Sequence, residues 1–272
     1  MSDFFITKSP NGVKFGQFKH LCDLPVRHGI STRIGGISQA PYAKLNLGLH
    51  TGDDSAAVNT NRQLFCDAVG VEFCKIVTAE QTHGDHIMIV TDCDAGKGHA
   101  LYNESIKDTD ALITNITNIP LMLFFADCVP IIIVDPIRKV VAVSHAGWKG
   151  TVAKIAQKTV LKMQDSFGSI PSDCQVGIGP SIGSCCYEVD QTVITHLKQN
   201  FSNWRKLVKQ THEAHWQLDL WLANKFQLEE VGVKTTNIII SDLCTACNTD
   251  LFFSHRAEQG RTGRLGAVVS LI

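Results

Sequence analysis

The stretch IIIVDPIRKVVAVS, residues 131–144, holds two apolar runs, IIIV and VVAVS, joined by DPIRK. Each run is short and rich in Ile and Val, the signature of a buried strand. DPIRK supplies the turn formers, so the two strands are expected to form a tight antiparallel hairpin. Similar segments occur on both sides: FFIT (4–7), CKIVT (74–78), HIMIV (86–90), ALIT (111–114), LMLFF (121–125), QVGIG (175–179), NIIIS (237–241) and GAVVSLI (266–272). Helical signals are fewer. DDSAAVNTNRQLFCDAVG (53–70) starts on N-cap candidates and stops on glycine. GTVAKIAQKTVLKMQDSFG (150–168) places Val152, Ile155, Ala156, Val160 and Met163 on one face. DLWLANKFQLEEVGV (219–233) repeats that pattern less cleanly. Many strands and few helices without strict alternation predict an α+β fold of layered mixed β-sheets flanked by helices. No internal repeat, low-complexity run or linker divides the chain, so residues 1–272 are expected to form a single domain.

A chain of 272 residues, 44% hydrophobic and 19% charged, can bury a sizeable core. Its net charge of −1 offers no basic footprint for nucleic acid or an anionic membrane surface. The opening MSDFFITKSPNGVKFGQF has none of the features of a signal peptide, and no apolar run nears the roughly 20 residues of a membrane span. A cytoplasmic protein acting on small molecules, as a monomer or small homo-oligomer, is expected. The ten cysteines then read as reduced thiols, most of them packing as small apolar residues.

Chemistry gathers at the ends of the central strands. Cys128 lies between Asp127 and Pro130, and a proline that cannot donate to a ladder is expected to interrupt the strand and turn the thiol outward. His145 stands where VVAVS meets AGWKG, whose Gly147 and Gly150 bracket a turn into a helix. That turn, with Lys149, is a candidate anion site. AEQTHGDHI adds His83 and His86. A cysteine with two histidines suits zinc with a fourth position open for water or substrate. Against this, the spacing is not that of a zinc finger, and an isolated core Cys or His is more often inert packing.

Taken together, TRIGG, YAKLNLGLHTGDD, VNTNR, QTHG, DTDALIT, ADCVP, HAGWKG, GIGPSIGSCCYEV, HWQLDL and CT…FFSHR…GR resemble the YfiH family, also called the laccase-domain or multicopper polyphenol oxidoreductase family. The motifs run in family order from about residue 28 to 270, and ADCxP followed by HAGW[RK]G is highly specific. The resemblance implies a single α+β domain and a zinc-dependent enzyme acting on purine nucleosides. Expected reactions are phosphorolysis of adenosine, inosine, guanosine or methylthioadenosine, and deamination of adenosine. It implies a metal set of His83, Cys128 and His145. It also carries two further labels: copper-dependent phenol oxidation and editing of peptidoglycan precursors.

Phosphorolysis needs cations for phosphate and a group that stabilises the departing purine. Arg62, Arg33 and Lys149 are candidate phosphate holders, and Asn46 and Ser144 candidate hydrogen-bond donors to sugar or phosphate. Asp127 is a candidate proton shuttle or outer partner of Cys128. The bland alternatives are a solvated helix arginine for Arg62, turn residues for Arg33 and Asn46, and a surface lysine for Lys149. A metal-free rival makes Cys128 the nucleophile of a hydrolase with His145 as base. Cys185 and Cys186 read as packed small residues, and the lone CxxC of CTAC (244–247) is a weak metal signal. His255, Arg256, Arg261 and Arg264 either tie down the C-terminal segment or line the site. Trp148 is expected to pack, with purine stacking as the alternative.

Overall fold

The computed structural model describes residues 3–272. In chain order the first strands are β1 (Phe4–Lys8), β2 (Lys14–Phe18), β3 (Val26–Ser31), β4 (Val77–Thr78) and β5 (Ile87–Ile89). The next are β6 (Ala111–Thr114), β7 (Leu121–Phe125), β8 (Val129–Asp135), β9 (Val140–Ala146) and β10 (Gln175–Ile178). The last are β11 (Glu188–Asp190), β12 (Val208–His212), β13 (His215–Leu218), β14 (Ile238–Ile240) and β15 (Leu265–Leu271). The helices are α1 (Lys19–Cys22), α2 (Ser55–Val69), α3 (Trp148–Val152), α4 (Ile155–Phe167), α5 (Gln191–Asn200) and α6 (Leu220–Glu230).

Two six-stranded mixed sheets dominate, with orders β1-β2-β3-β15-β7-β4 and β14-β10-β8-β9-β6-β5. A small three-stranded sheet, β11-β13-β12, lies apart from them. Side-chain alternation explains the stacking. Leu121, Leu123 and Phe125 of β7 meet Ile132, Val134, Val141 and Val143 of the second sheet in one buried cluster. Met122 and Phe124 point the other way, onto Phe65, Cys66 and Val69 of α2. Ile131, Ile133, Val140 and Ala142 likewise turn from the inter-sheet core to Ile155, Val160, Met163, Ala223 and Leu228 of α4 and α6. The layers are therefore helix, sheet, sheet, helix. Strands covered on both faces cannot alternate apolar with polar, which is why LMLFF, IIIV and VVAV are unbroken apolar runs.

The hairpin forms as expected, β8 pairing antiparallel with β9 from Val129↔Ala146 to Asp135↔Val140. Asp135 shapes its turn by accepting from the backbone amides of Ile137 and Arg138 at 2.9 and 3.0 Å. The α2 helix is capped by the Asp54 carboxylate and closed by Gly70 at φ 83°.

Other expectations are corrected. Pro130 does not interrupt β8; it pairs with His145 inside the strand. Its carbonyl accepts from Gly179 at 2.9 Å, just past the end of β10, so its missing N–H faces a place where the ladder has already stopped. The turn that aims Cys128 is made instead by Asp127, at φ 82°. The helix expected over 150–168 is two helices, broken at Lys154, which adopts φ 64°. At the break, Asn224 and Gln227 of α6 donate to the hydroxyl and carbonyl of Thr151 at 3.1 and 2.8 Å, supplying side-chain partners as α3 ends. Only Val77–Thr78 of CKIVT is strand. Strands β2, β3 and β11–β13 and helices α1 and α5 were not anticipated. No helix among the described residues is long and apolar enough to cross a membrane.

One buried histidine of β3 sets an acid limit on this core. His28 is 1% exposed, and its Nε2 accepts from the Phe18 amide at 2.9 Å, so it must stay neutral. Burial, then the charge of His20, lowers its pKa to about 4. The unfolded chain binds that proton nearer pH 6.5, so stability is complete above that value and falls as the pH drops toward 4. The expected loss is about 3 kcal/mol. Urea midpoints of wild type and His28→Gln between pH 7.5 and 4.5 check it. The variant should show a shallower slope, with His20 adding a smaller share of the same sign; an unchanged slope removes His28 as the cause.

Candidate active site

Two of the chain's passages from one sheet to the other carry the reactive side chains. The link from β4 to β5 holds His83, and the link from β7 to β8 holds Cys128. His145 sits near the end of β9, opposite Pro130. The donor atoms of His83, Cys128 and His145 all lie within 4.8 Å of one another. The two imidazoles meet edge to face with centroids 4.8 Å apart. Gly147 leaves room for them: a Cβ there would stand 3.1 Å from both the Cys128 sulfur and the His83 ring.

Asp110, immediately before β6, organises this cluster. Its buried carboxylate accepts from the backbone amides of Thr82, His83 and Gly84 at 3.2, 3.1 and 2.7 Å, which holds the His83 loop. It also accepts from Nδ1 of His145 at 2.7 Å, leaving Nε2 for Cys128. A histidine oriented by a carboxylate is the usual companion of a metal ligand. Gln81 braces the same loop by exchanging hydrogen bonds of 2.7 and 2.8 Å with the backbone of Phe124. Burial opposes the Cys128 thiolate, but attraction and hydrogen bonding from His145 outweigh it and lower its pKa. The opposite holds for His145, where the Cys128 thiolate and then Asp110 overcome burial and raise the pKa. The pair favours thiolate beside imidazolium. One soft sulfur and two imidazole nitrogens on a buried carboxylate brace fit a borderline divalent cation such as zinc.

These donors face a cavity of about 470 Å³, a size suited to a small organic ligand. Phe124, Tyr102, Trp148 and Tyr187 supply aromatic walls, and His50, Arg256 and Arg264 supply polar ones. Arg264 spends Nη1 on the carbonyls of Thr262 and Gly263, at 2.9 and 3.0 Å. Its Nε and Nη2 have no protein partner among the described residues. The surrounding protein, then the charges of Arg264 and Arg62, hold the pKa of His50 well below its ordinary value, so it is neutral at pH 7 and keeps one N–H to give.

Of the other residues singled out from sequence, Arg62, Arg33, Asn46, Ser144, Lys149 and His86 do not line this cavity. Arg62 is 1% exposed and donates to the carbonyls of Leu47, Gly98 and His99, each at 2.8 Å, with its guanidinium over the Phe124 ring. It is neither a solvated helix arginine nor free to grip a phosphate. Arg33 bonds to Ala43, Thr249 and Glu258, tying distant loops together. Asn46 is wholly buried and accepts from the Arg264 amide at 2.8 Å, so it fixes the backbone that carries Arg264. Ser144 points away, to Thr159 of α4 at 2.9 Å. Lys149 is exposed beside Trp148. His86 stays outside the donor cluster, bonded through Nδ1 to the Asp108 carbonyl at 2.6 Å. Asp127 does line the cavity, but both its oxygens are engaged, by the Thr245 hydroxyl at 2.5 Å and the Arg256 amide at 2.6 Å. It holds the 245–256 segment rather than a mobile proton. His255, Arg256 and Arg264 all reach the wall, whereas Arg261 is exposed elsewhere. Sequence reading missed Asp110 and His50, whose only signal was their place within DTDALIT and LGLHTGDD.

A layered α+β fold with a His-Cys-His cluster at a sheet-to-sheet crossing defines a candidate metalloenzyme with a small-molecule cavity. Residues 27–272 match the family model described as multi-copper polyphenol oxidoreductase laccase. The crystal structure of Bacillus licheniformis YfiH superposes with a TM-score of 0.91 at 38% identity, over 95% of this chain and 96% of that one. The chain belongs to this laccase-like YfiH family. It is 40% identical to the purine nucleoside phosphorylase YlmD of Bacillus subtilis, over 89% of this chain and 87% of that protein. It is 34% identical to adenosine deaminase RL5 from an unknown prokaryotic organism, over 82% of this chain and 85% of that protein. An enzymatic role accords with these relatives.

Proposed function

We propose that this protein is a metal-dependent purine nucleoside phosphorylase that also deaminates adenosine, with zinc held by His83, Cys128 and His145. Adenosine, inosine, guanosine and methylthioadenosine are its substrates in this reading, and one domain carries the site. The observation that carries the reading is the convergence of those three donors on the floor of a nucleoside-sized cavity. The names borne by the relatives supply the reaction class.

In phosphorolysis a phosphate oxygen bonds to the anomeric carbon of the ribose while the bond to the purine nitrogen breaks, and the electron pair leaves with the base. Arg264 offers two unspent donor positions and His50 one N–H, and both suit phosphate. The aromatic walls hold the flat base and exclude water. Asn46 and Asp127 keep the loops bearing Arg264 and Arg256 in place. When bound, zinc supplies Lewis-acid polarisation of the purine and, for deamination, an activated water. Copper remains the alternative ion, but reduction of oxygen to water needs four electrons, and the cavity presents one three-donor group among the described residues. A role in binding or editing cell-wall precursors would show instead as slow, phosphate-independent nucleoside turnover together with tight binding of a nucleotide-sugar peptide.

Arg264→Ala should raise the phosphate KM by about 10- to 100-fold, the worth of a charge-assisted hydrogen bond, with a smaller change in kcat. Initial rates against phosphate concentration with adenosine check this; an unaltered phosphate dependence removes Arg264 from the scheme. Metal chelation separates the rival reading. The phosphorylase stops, whereas a Cys128 hydrolase survives and dies with iodoacetamide.

A further inference from the structure

We propose that Cys185, Cys186, Cys244 and Cys247 form a second metal site, a structural tetrathiolate centre for a thiophilic divalent cation such as zinc. It is separate from the His-Cys-His cluster and independent of the phosphorylase reading.

The four sulfurs come from two segments far apart in sequence, an adjacent pair and a CxxC knuckle, and all lie within 4.8 Å of one another. The Cys185–Cys247 and Cys186–Cys247 sulfurs are 3.6 and 3.4 Å apart. A disulfide requires about 2.05 Å, so these are not bonded pairs. A tetrahedron with metal–sulfur bonds of about 2.3 Å has sulfur–sulfur edges of about 3.8 Å, close to the spacing found. Apolar packing is a poor explanation, because Cys185 and Cys247 are exposed. The Gly183 amide donates to the Cys244 sulfur at 3.2 Å, a contact that favours a thiolate. Gly183 is also crowded, since a Cβ there would lie 3.3 Å from the Cys185 sulfur. Binding exchanges the four thiol protons for the cation, and no electron moves. The guanidinium of Arg256, which donates to the carbonyls of Cys186 and Glu188, brings positive charge beside the resulting anionic centre.

Its place gives it a role. Tyr187, next to Cys186, lines the cavity. Thr245, inside the knuckle, donates to Asp127 beside Cys128. The centre thus clamps together the two segments that form one wall of the cavity. Such a clamp is a fixed strut of that wall and takes no part in bond breaking.

The test is metal content of the whole protein, purified under reducing conditions from zinc-supplemented cells. Wild type should hold about two zinc ions per chain, and Cys128→Ala and Cys247→Ala about one each. Cobalt exchanged into Cys128→Ala should give an intense thiolate-to-cobalt charge-transfer band, which decides the matter even if Cys247→Ala does not fold. A single ion that is lost in Cys128→Ala, with no such cobalt band, overturns the proposal. So does a disulfide among these four cysteines, found by non-reducing peptide mapping of protein that lacks a second ion. Loss of the ion in Cys128→Ala with retention in Cys247→Ala leaves the catalytic cluster standing and removes only the second site.

Discussion

Replacing Cys128 with alanine should lower kcat/KM for phosphate-dependent cleavage of adenosine by about a thousandfold or more. The thiolate is the anionic member of the three-donor cluster, and it faces the cavity from the turn made by Asp127. Its removal leaves two neutral donors, His83 and His145, and no anionic ligand to hold a divalent cation. Fold stability should change little, because Cys128 is only part-buried and β8 begins after it. Steady-state kinetics beside thermal melting in the presence of chelator check both halves. Activity within tenfold of wild type would show that the sulfur is not part of the chemistry. A large loss of melting temperature with proportionate loss of activity would show that it is structural.

Asp110→Asn should be the most damaging change outside the donors themselves. The carboxylate takes hydrogen bonds from three backbone amides, the Thr82 hydroxyl and His145. An asparagine has one acceptor oxygen, so its amide group must turn donors toward donors. Its side chain is wholly buried, and stability should fall by about 3–5 kcal/mol, as when one member of a buried charged pair is removed. Metal affinity should fall about 10- to 100-fold because the His145 ring and the His83 loop lose their common brace. Competition with a metal-binding dye reads affinity directly, apart from turnover. A variant that melts lower but holds the cation with unchanged affinity would make Asp110 a fold residue and no positioning residue.

What the sequence revealed, and what it hid, follows from how each piece is stabilised. The β8–β9 hairpin and α2 were legible because their cause is local: β-branched runs around a turn, and a helix with Asp54 and Gly70 at its ends. The short strands β12 and β13 were not, since VKQTH is mostly exposed and polar and HWQL is a half-buried run of only four residues. The break at Lys154 has partners on α6, and the fit of Pro130 depends on where β10 ends. Neither cause lies near in sequence. The donor set was legible through the family motifs, which the structure brings together in space. Arg62 misled because an arginine in a polar helical stretch looks solvated, whereas three loop carbonyls draw it inward. His50 and Arg264 converge from opposite ends of the chain, and the CxxC looked isolated because its companions, Cys185 and Cys186, lie on another loop.

The two strand links that carry His83 and Cys128 also join the halves of the sandwich. The separation of the donors is therefore tied to how the two sheets lie against each other. A methylene removed from the apolar seam, at Leu123 or Ile132 for example, can alter ligand spacing without touching the cavity. An ion gripped at that seam in turn acts as a rivet against sliding of one sheet over the other.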